Sequence, residues 1–409
     1  MNADLIQIVI PMLVFTLLIM LLAASVLAVK RRLAPEVDVT VTINDQRAFE
    51  ARTGHKLLWQ LAAQGILLPA ACGGRGACGQ CRVKVVSGGG PVLPMETGHL
   101  TLAELGRGMR LACMIVVRDP LAVSLPQDIL EVQRWRATVA QTRHLSTFLK
   151  EITLSLAQPV SFVAGNYMLV EAPVASISLA DLAMDPESRS RWSDLGLLDQ
   201  VAKIPQPATR AYSLANTPAE NDIVRFIVRI ATPPAHAPPG TPPGQVSSYL
   251  FSLRRGDEVN LVGPFGDFRV NESEAEMVFI GGGAGIAPMH SMIVDQLVNR
   301  GSQRVMSFWY GARNVRELVY RDRFQELAER HPNFTYQAAL SEPEADDDWN
   351  GPVGLVHKVI QDRYLAAHPH PEAAEYYLCG PPLMTSAVLT MLDDLGVERQ
   401  SIYLDDFGS

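Results

Sequence analysis

Residues 71–81 read ACGGRGACGQC, and with Cys113 further on they set Cys72, Cys78, Cys81 and Cys113 in the spacing C-x5-C-x2-C-x31-C. Three thiols within ten residues, separated by Gly73, Gly74, Gly76 and Gly79, describe a tight loop whose glycines let backbone N–H groups approach metal-bound sulfide without a Cβ in the way. The distant fourth thiol closes an iron–sulfur ligand set. A four-cysteine zinc site is one alternative, but it shows two separated C-x2-C pairs; a disulfide framework is the other, and it belongs to small secreted domains. The fifth cysteine, Cys379, stands apart.

Outward from the loop, residues 37–46 (VDVTVTINDQ) alternate as a strand does, Asn44-Asp45 suits a hairpin turn, and HKLLWQLAAQG reads as a short helix stopped by Gly65. MIVVRDPLAVSL, beginning after Cys113, reads as a strand that carries the first globular domain to about Pro126. Upstream, Leu5 to Val29 is 25 residues without a charge, long enough as a helix to cross a hydrocarbon core of ~30 Å. A cleavable signal peptide is the other reading, but MNAD lacks the basic start and the run exceeds the usual apolar length. Lys30, Arg31 and Arg32 follow directly, which places the rest of the chain in the cytoplasm, where thiolate ligands persist. The 409 residues allow about three domains, and a net charge of −8 argues against nucleic acid as a partner.

RWRATVAQTRHLSTFLKEITLSL opens a second strand-rich region, continued by YMLVEAP, by RAYSLAN (Arg210–Asn216) and by IVRFIVRIA, the pattern of a small antiparallel barrel. In GQVSSYLFSLRRGDEV, Gly244 to Ser248 would open a helix whose free N–H groups and positive dipole end suit a phosphate, or simply cap a surface helix. Two stretches are long for barrel loops: Ala175 to Ala208, and the Pro/Gly-rich ATPPAHAPPGTPPG. EMVFIGGGAGIAPMHSM then runs from an apolar strand through glycines into a helix, as a nucleotide-binding βα turn requires. VMSFWYGAR and EYYLCGPPLM are buried strands alternating with the helical HSMIVDQLVNR and SAVLTMLDDLG. A parallel, helix-covered sheet is therefore expected from about Glu274 to the end, with ligands at its carboxyl edge.

The cysteine loop resembles the plant-type [2Fe–2S] ferredoxins, with five residues in the first gap where that pattern has four. The resemblance implies a β-grasp-like α+β domain with Cys72, Cys78, Cys81 and Cys113 as cluster ligands. The ordered set RAYS, GQVSS, GAGIAP, YGAR and CGPP resembles the ferredoxin–NADP reductase-like flavoproteins. By that resemblance Arg210 pairs with the FAD pyrophosphate, Tyr212 packs on the isoalloxazine and Ser213 bonds near flavin N5. Gly244, Gln245, Val246, Ser247 and Ser248 would receive the FAD pyrophosphate. Gly283, Gly285, Pro288, Gly311, Arg313, Gly380 and Pro381 would hold the nicotinamide dinucleotide. Cys379 would line the nicotinamide pocket, or be a buried structural thiol; Phe407 would stack on the flavin, or be an ordinary packed tail.

The implied fold class is multidomain: a transmembrane anchor (1–32), a ferredoxin-type domain (33–129), an antiparallel FAD barrel (130–273) and an α/β parallel-sheet NADH domain (274–409). With GPFGDF (Gly263–Phe268) and the terminal DDFG, this order resembles the F subunits of the sodium-pumping NADH:quinone oxidoreductases. The resemblance implies a single-pass protein of the bacterial inner membrane with its soluble domains on the cytoplasmic side. Hydride would pass from NADH to FAD, and single electrons through the cluster to membrane partner subunits that reduce quinone and export Na⁺. The apolar run holds no carboxylate, so Na⁺ transport would lie outside this chain. NADH rather than NADPH is taken from the resemblance, although Arg313 and Arg316 could meet a 2′-phosphate. A membrane-tethered NADH reductase feeding an oxygenase would carry the same motifs. A redox sensor or scaffold with degenerate sites is the non-enzymatic alternative, and three complete motif sets stand against it.

Overall fold

The computed structural model describes residues 12–25, 37–70, 72–126, 129, 132–233, 237–238, 240–345 and 347–405. They fall into two compact units, residues 1–70 with 74–131, and residues 71–73 with 132–409. Residues 12–25 are helical and exposed along their length. Residues 5–11 and 26–29 of the apolar run, and Lys30–Arg32, lie outside the described residues. Among those described, no helix is long and apolar enough to cross a membrane.

The first unit is built on five strands, β1 (Asp38–Ile43), β2 (Arg47–Arg52), β3 (Arg82–Ser87), β4 (Met109–Leu111) and β5 (Leu121–Ser124), in the order β2-β1-β5-β3-β4. Along β1 the alternation puts Val41 and Ile43 into the core. Asn44 and Asp45 take φ of 50° and 53°, successive left-handed positions that Asn and Asp tolerate best after glycine, in the three-residue connection 44–46 between β1 and β2, where Gln46 N donates to the Ile43 carbonyl at 3.1 Å. Helix α1 (Leu57–Ala63) buries Leu57, Leu58 and Leu61. The expected strand after Cys113 is only partly formed. The Ile115 carbonyl accepts from Leu57 N and Val117 N donates to the His55 carbonyl, both at 2.9 Å, so this segment serves the start of α1. Pro120, which lacks a donor, separates it from β5.

In the second unit, β6 (Gln133–His144), β7 (Leu149–Leu156) and β8 (Tyr167–Ala172) lead into a two-stranded excursion, β9 (Ala175–Ser178) with β10 (Val201–Ile204). Then come β11 (Ala208–Ser213), β12 (Ile223–Arg229) and β13 (Glu258–Phe265). The six-stranded sheet runs β11-β8-β13-β6-β7-β12, and a bridge between Leu214 and Phe226 brings its two ends together as a barrel. The excursion is folded, not a loose loop. Its helix α2 (Pro186–Asp194) starts with Pro186 in the first turn and Asp185 accepting from Ser188 N at 2.8 Å. Trp192 from this helix is fully buried in the barrel core, stacked 6.2 Å from Phe148 and 6.3 Å from Phe251. Helix α3 (Gln245–Ser252) packs on the same core.

The remaining strands, β14 (Met277–Gly282), β15 (Met306–Ala312), β16 (Phe334–Leu340), β17 (Glu375–Cys379) and β18 (Ile402–Asp405), are parallel in the order β16-β15-β14-β17-β18. β14 is buried at every position, as a central strand covered on both faces must be. Helices α4 (Ile286–Val294), α5 (Arg321–Arg330), α6 (Val356–Arg363) and α7 (Pro382–Asp394) contribute to its two apolar layers. The layer containing α4 also includes Leu149, Ala215 and Ile227 of the barrel, so barrel and parallel sheet share a core.

Candidate functional site

Cys81 precedes β3 and Cys113 follows β4, and the Ala112 amide donates to the Cys81 carbonyl at 2.8 Å, so strand pairing sets the two thiols side by side. Both are buried, whereas Cys72 and Cys78 are half-buried at either end of a loop of turns. The Cys113 thiol hydrogen-bonded to it, together with burial, pushes the Cys81 thiol far up, and Cys78 adds to this. Buried thiols crowded in this way are suited to a cation that draws off their protons, and all four cysteines are free of disulfides. Among the described residues no three His, Cys, Asp or Glu side chains are placed to hold one metal ion. A two-iron cluster divides its four thiolates between two irons and asks for no such trio. Gly79 shows why the loop needs glycine: its φ is +65°, and a Cβ would stand 2.8 Å from the Cβ of His99.

Behind this loop lies a buried ion pair. Arg110 Nη2 reaches Glu96 Oε2 at 2.8 Å, and Glu96 also accepts from the Leu93 and Leu111 amides. Burial works against the Glu96 charge, but Arg110 and the two amides outweigh it and hold the carboxyl below its ordinary range.

On the barrel, β11 carries Arg210, Tyr212 and Ser213. Tyr212 lies 6.0 Å from the Phe226 ring, and burial pushes its phenol up. Gly244, Gln245, Val246, Ser247 and Ser248 form the start of α3, where a Cβ on Gly244 would lie 2.6 Å from that of Ala231. Ser248 Oγ is fully buried with no hydrogen-bond partner, although its position at a helix start is where a phosphate oxygen would satisfy it. These residues fit FAD.

The glycine turn lies at the carboxyl end of β14. Gly283 has φ +56°, and Gly285 packs so closely on β17 that a Cβ would fall 2.0 Å from the Cys379 carbonyl oxygen. Pro288 sits in the first turn of α4, where no amide is needed. Gly311 backs onto Val356, and Gly380 and Pro381 lead from β17 into α7. Arg313 is exposed just beyond β15. This bare backbone beside a helix start fits a dinucleotide pyrophosphate.

Barrel and parallel sheet meet where the chemistry would be. Ser213 Oγ donates to Asp405 Oδ2 at 2.8 Å, and Cys379 Sγ lies 3.9 Å from the same oxygen. Asp405 is a site residue that sequence reasoning missed. No local pattern marks it; parallel register sets it opposite Cys379. Phe407 lies outside the described residues. Nearby, His290 on α4 is buried against the Ala215 carbonyl at 2.7 Å, and burial pushes it down to about 4.

Three families match in chain order: the 2Fe-2S iron-sulfur cluster binding domain over residues 41–118, the oxidoreductase FAD-binding domain over 198–270 and the oxidoreductase NAD-binding domain over 279–390. The chain is 45% identical over 398 residues to the F subunit of the Na(+)-translocating NADH-quinone reductase of Psychrobacter cryohalolentis, covering 96% of this chain and 97% of that one. It is 45% identical over 406 residues to the protein of the same name in Klebsiella pneumoniae, covering 98% and 100%. Among solved structures it resembles a cytochrome P450 reductase from Amycolatopsis, with a TM-score of 0.63, 25% identity, and coverage of 90% of this chain and 98% of that one. The ferredoxin reductase of a carbazole 1,9a-dioxygenase has the same fold, with a TM-score of 0.58, 24% identity, and 91% and 99% covered.

Proposed function

The chain belongs to the family of F subunits of the Na(+)-translocating NADH-quinone reductases, and we propose that its part in that reaction is electron input, with its own residues aligning the two rings between which hydride passes. FAD would supply the hydride acceptor, and a [2Fe–2S] cluster held by Cys72, Cys78, Cys81 and Cys113 would supply one-electron chemistry toward the partner subunits, where quinone reduction is coupled to Na⁺ export.

The observation that carries the residue assignment is the meeting of Ser213, Asp405 and Cys379. Asp405 accepts a hydrogen bond from the Ser213 hydroxyl and so fixes its orientation. Cys379, fully buried at the end of β17, lies 3.9 Å from the same carboxylate oxygen and would line the nicotinamide side. Arg210 and the start of α3 would hold the FAD phosphates, and the turn Gly283–Gly285 with α4 those of NADH. Tyr212 supplies a flat apolar surface. Proximity and orientation, not acid–base chemistry, are what these groups contribute.

We assign residues 33–129, 130–273 and 274–409 to the cluster, FAD and NADH domains; the three family matches fall within these bounds. Membrane association follows from membership of a membrane complex. Residues 5–29 we read as a single-pass anchor in the inner membrane, supported by their lack of charge and by the three basic residues after them.

The test is an anaerobic titration of the full chain with NADH, following flavin absorbance and the paramagnetic resonance of the reduced cluster. Bleaching of the flavin with growth of a [2Fe–2S] signal is expected. A bleached flavin with no cluster signal, even after dithionite, would refute the reading of the four cysteines.

A further inference from the structure

The segment 175–208 contributes no residue to the meeting of Ser213, Asp405 and Cys379, yet Trp192 anchors it in the barrel core, and its helix α2 reaches the carboxyl edge of the parallel sheet. Glu187 of that helix pairs with Arg316, and Arg191 reaches Glu344 at 3.0 Å. Arg316 lies just past β15 and Glu344 just past β16.

Strand order says what these loops would face. The pyrophosphate turn follows β14, and the nicotinamide end goes toward β17, where Cys379 meets Ser213 and Asp405. The adenosine end must therefore run the other way, over β15 and β16. There the chemistry favours a hydroxyl over a phosphate. Asn314, 5% exposed, donates to Glu344 Oε1 at 2.7 Å while its own Oδ1 is buried without a partner. Because Glu344 can only accept, this bond fixes which amide atom is the oxygen, and an unpaired acceptor calls for a donor such as a ribose hydroxyl. A 2′-phosphate would instead need a free guanidinium.

We propose that Glu187 is a coenzyme-specificity residue: by pairing with Arg316 it withholds from the nucleotide one of the two cations beyond β15 that a 2′-phosphate could meet, the other being the exposed Arg313, so that the inserted helix weights the site toward NADH against NADPH. The inference rests on the reading of the β14 turn as the NADH site. Arg316 and Glu187 are both substantially exposed, so the expected effect is moderate.

The experiment compares the full chain with Glu187→Gln and with Glu187→Gln/Arg316→Gln. Binding of adenosine 2′,5′-bisphosphate and of 5′-ADP is measured by calorimetry, alongside flavin reduction by NADPH and NADH. Glu187→Gln should raise the affinity ratio of bisphosphate to ADP, and the NADPH-to-NADH ratio of kcat/KM, by roughly five- to tenfold, the effect of one unit charge at partly screened range. The double variant should return both ratios to the parent values or below. Unchanged ratios in Glu187→Gln, or a gain that survives loss of Arg316, would overturn the proposal. If the parent chain neither binds 5′-ADP nor reduces its flavin with NADH, the NADH reading itself fails, and that outcome is distinct from a parent that binds well but shows no shift.

Discussion

Gly285→Ala is the sharpest test of how the nucleotide turn works. The added carbon would lie 2.0 Å from the Cys379 carbonyl oxygen, 2.4 Å from its carbon and 2.9 Å from the Gly380 nitrogen. A tolerable carbon–oxygen contact is about 3.3 Å, so turn and strand must part by roughly 1.3 Å. Both partners are backbone, and β14 is paired to β17 in parallel register, so no side chain can swing aside. The shift moves Cys379 and the amides of the turn together. A misplacement of about 1 Å can cost on the order of 100-fold in rate, so rapid-mixing measurement of flavin reduction by NADH should show about that loss. Flavin content and dithionite reduction should be kept. Gly283→Ala is the control, because its Cβ would meet nothing closer than Arg229 Nη1 at 3.6 Å and it suffers only from φ of +56°. That strain is about 1–2 kcal/mol, so a loss of about tenfold is expected. Gly285→Ala reducing its flavin within about threefold of the parent, or Gly283→Ala being the worse of the two, would refute the reasoning.

Ser213→Ala removes the oriented hydroxyl and should slow flavin reduction on the order of 100-fold, the scale of a roughly 1 Å misplacement, and Asp405→Ala should resemble it, whereas Asp405→Asn, whose amide oxygen can still accept from Ser213 Oγ, should keep most of the rate; equal losses in Asn and Ala variants would count against the hydroxyl-fixing role. Glu96→Gln leaves the Arg110 guanidinium buried beside a neutral partner, which should cost about 3–5 kcal/mol and bleach the cluster at lower denaturant than in the parent, with the flavin transition unmoved. His290 is held neutral by burial, with its folded value near 4 against about 6.5 unfolded, so the unfolded chain binds the extra proton and stability falls as pH drops below about 6.5. At pH 5.5 the loss is on the order of 1 kcal/mol, and Glu220, Arg225 and Arg323 are the charges acting on the ring; thermal melts followed by flavin fluorescence should show a gap between parent and His290→Gln that changes between pH 7.5 and 5.5, and a constant gap would sink the idea.

What could be read beforehand was whatever depends on local backbone geometry. Asn44-Asp45 announced its turn because few residues tolerate two left-handed positions in succession, and the cysteine loop announced itself through glycines at positive φ. The strand expected after Cys113 formed only at Leu121–Ser124, because apolar alternation says which residues are buried, not which backbone groups find a ladder; Ile115 and Val117 give their hydrogen bonds to the start of α1. Trp192 was equally opaque. An indole in a charged, polar helix gives no sign that it will enter the core of a barrel whose strands lie on either side of it in sequence.

The two most informative charged residues, Asp405 and Glu187, were illegible for the same reason, and the glycines show why. Gly282 and Gly380 both face Met384, Gly285 faces the Cys379 backbone and Gly311 faces Val356, yet all serve one constraint: strands β14, β15 and β17 must end close together with bare backbone. A constraint that every member feels through its own Cβ appears in the sequence as a motif. Asp405 acts through its hydrogen bond to Ser213, 192 positions away in the chain, and Glu187 through its ion pair with Arg316. Neither makes a demand on its own backbone, so nothing local marks it. The cofactor-holding frame of such a site can thus be read from sequence, while the residues that tune it, fixing a hydroxyl or choosing between two coenzymes, become visible only once the strands are in register.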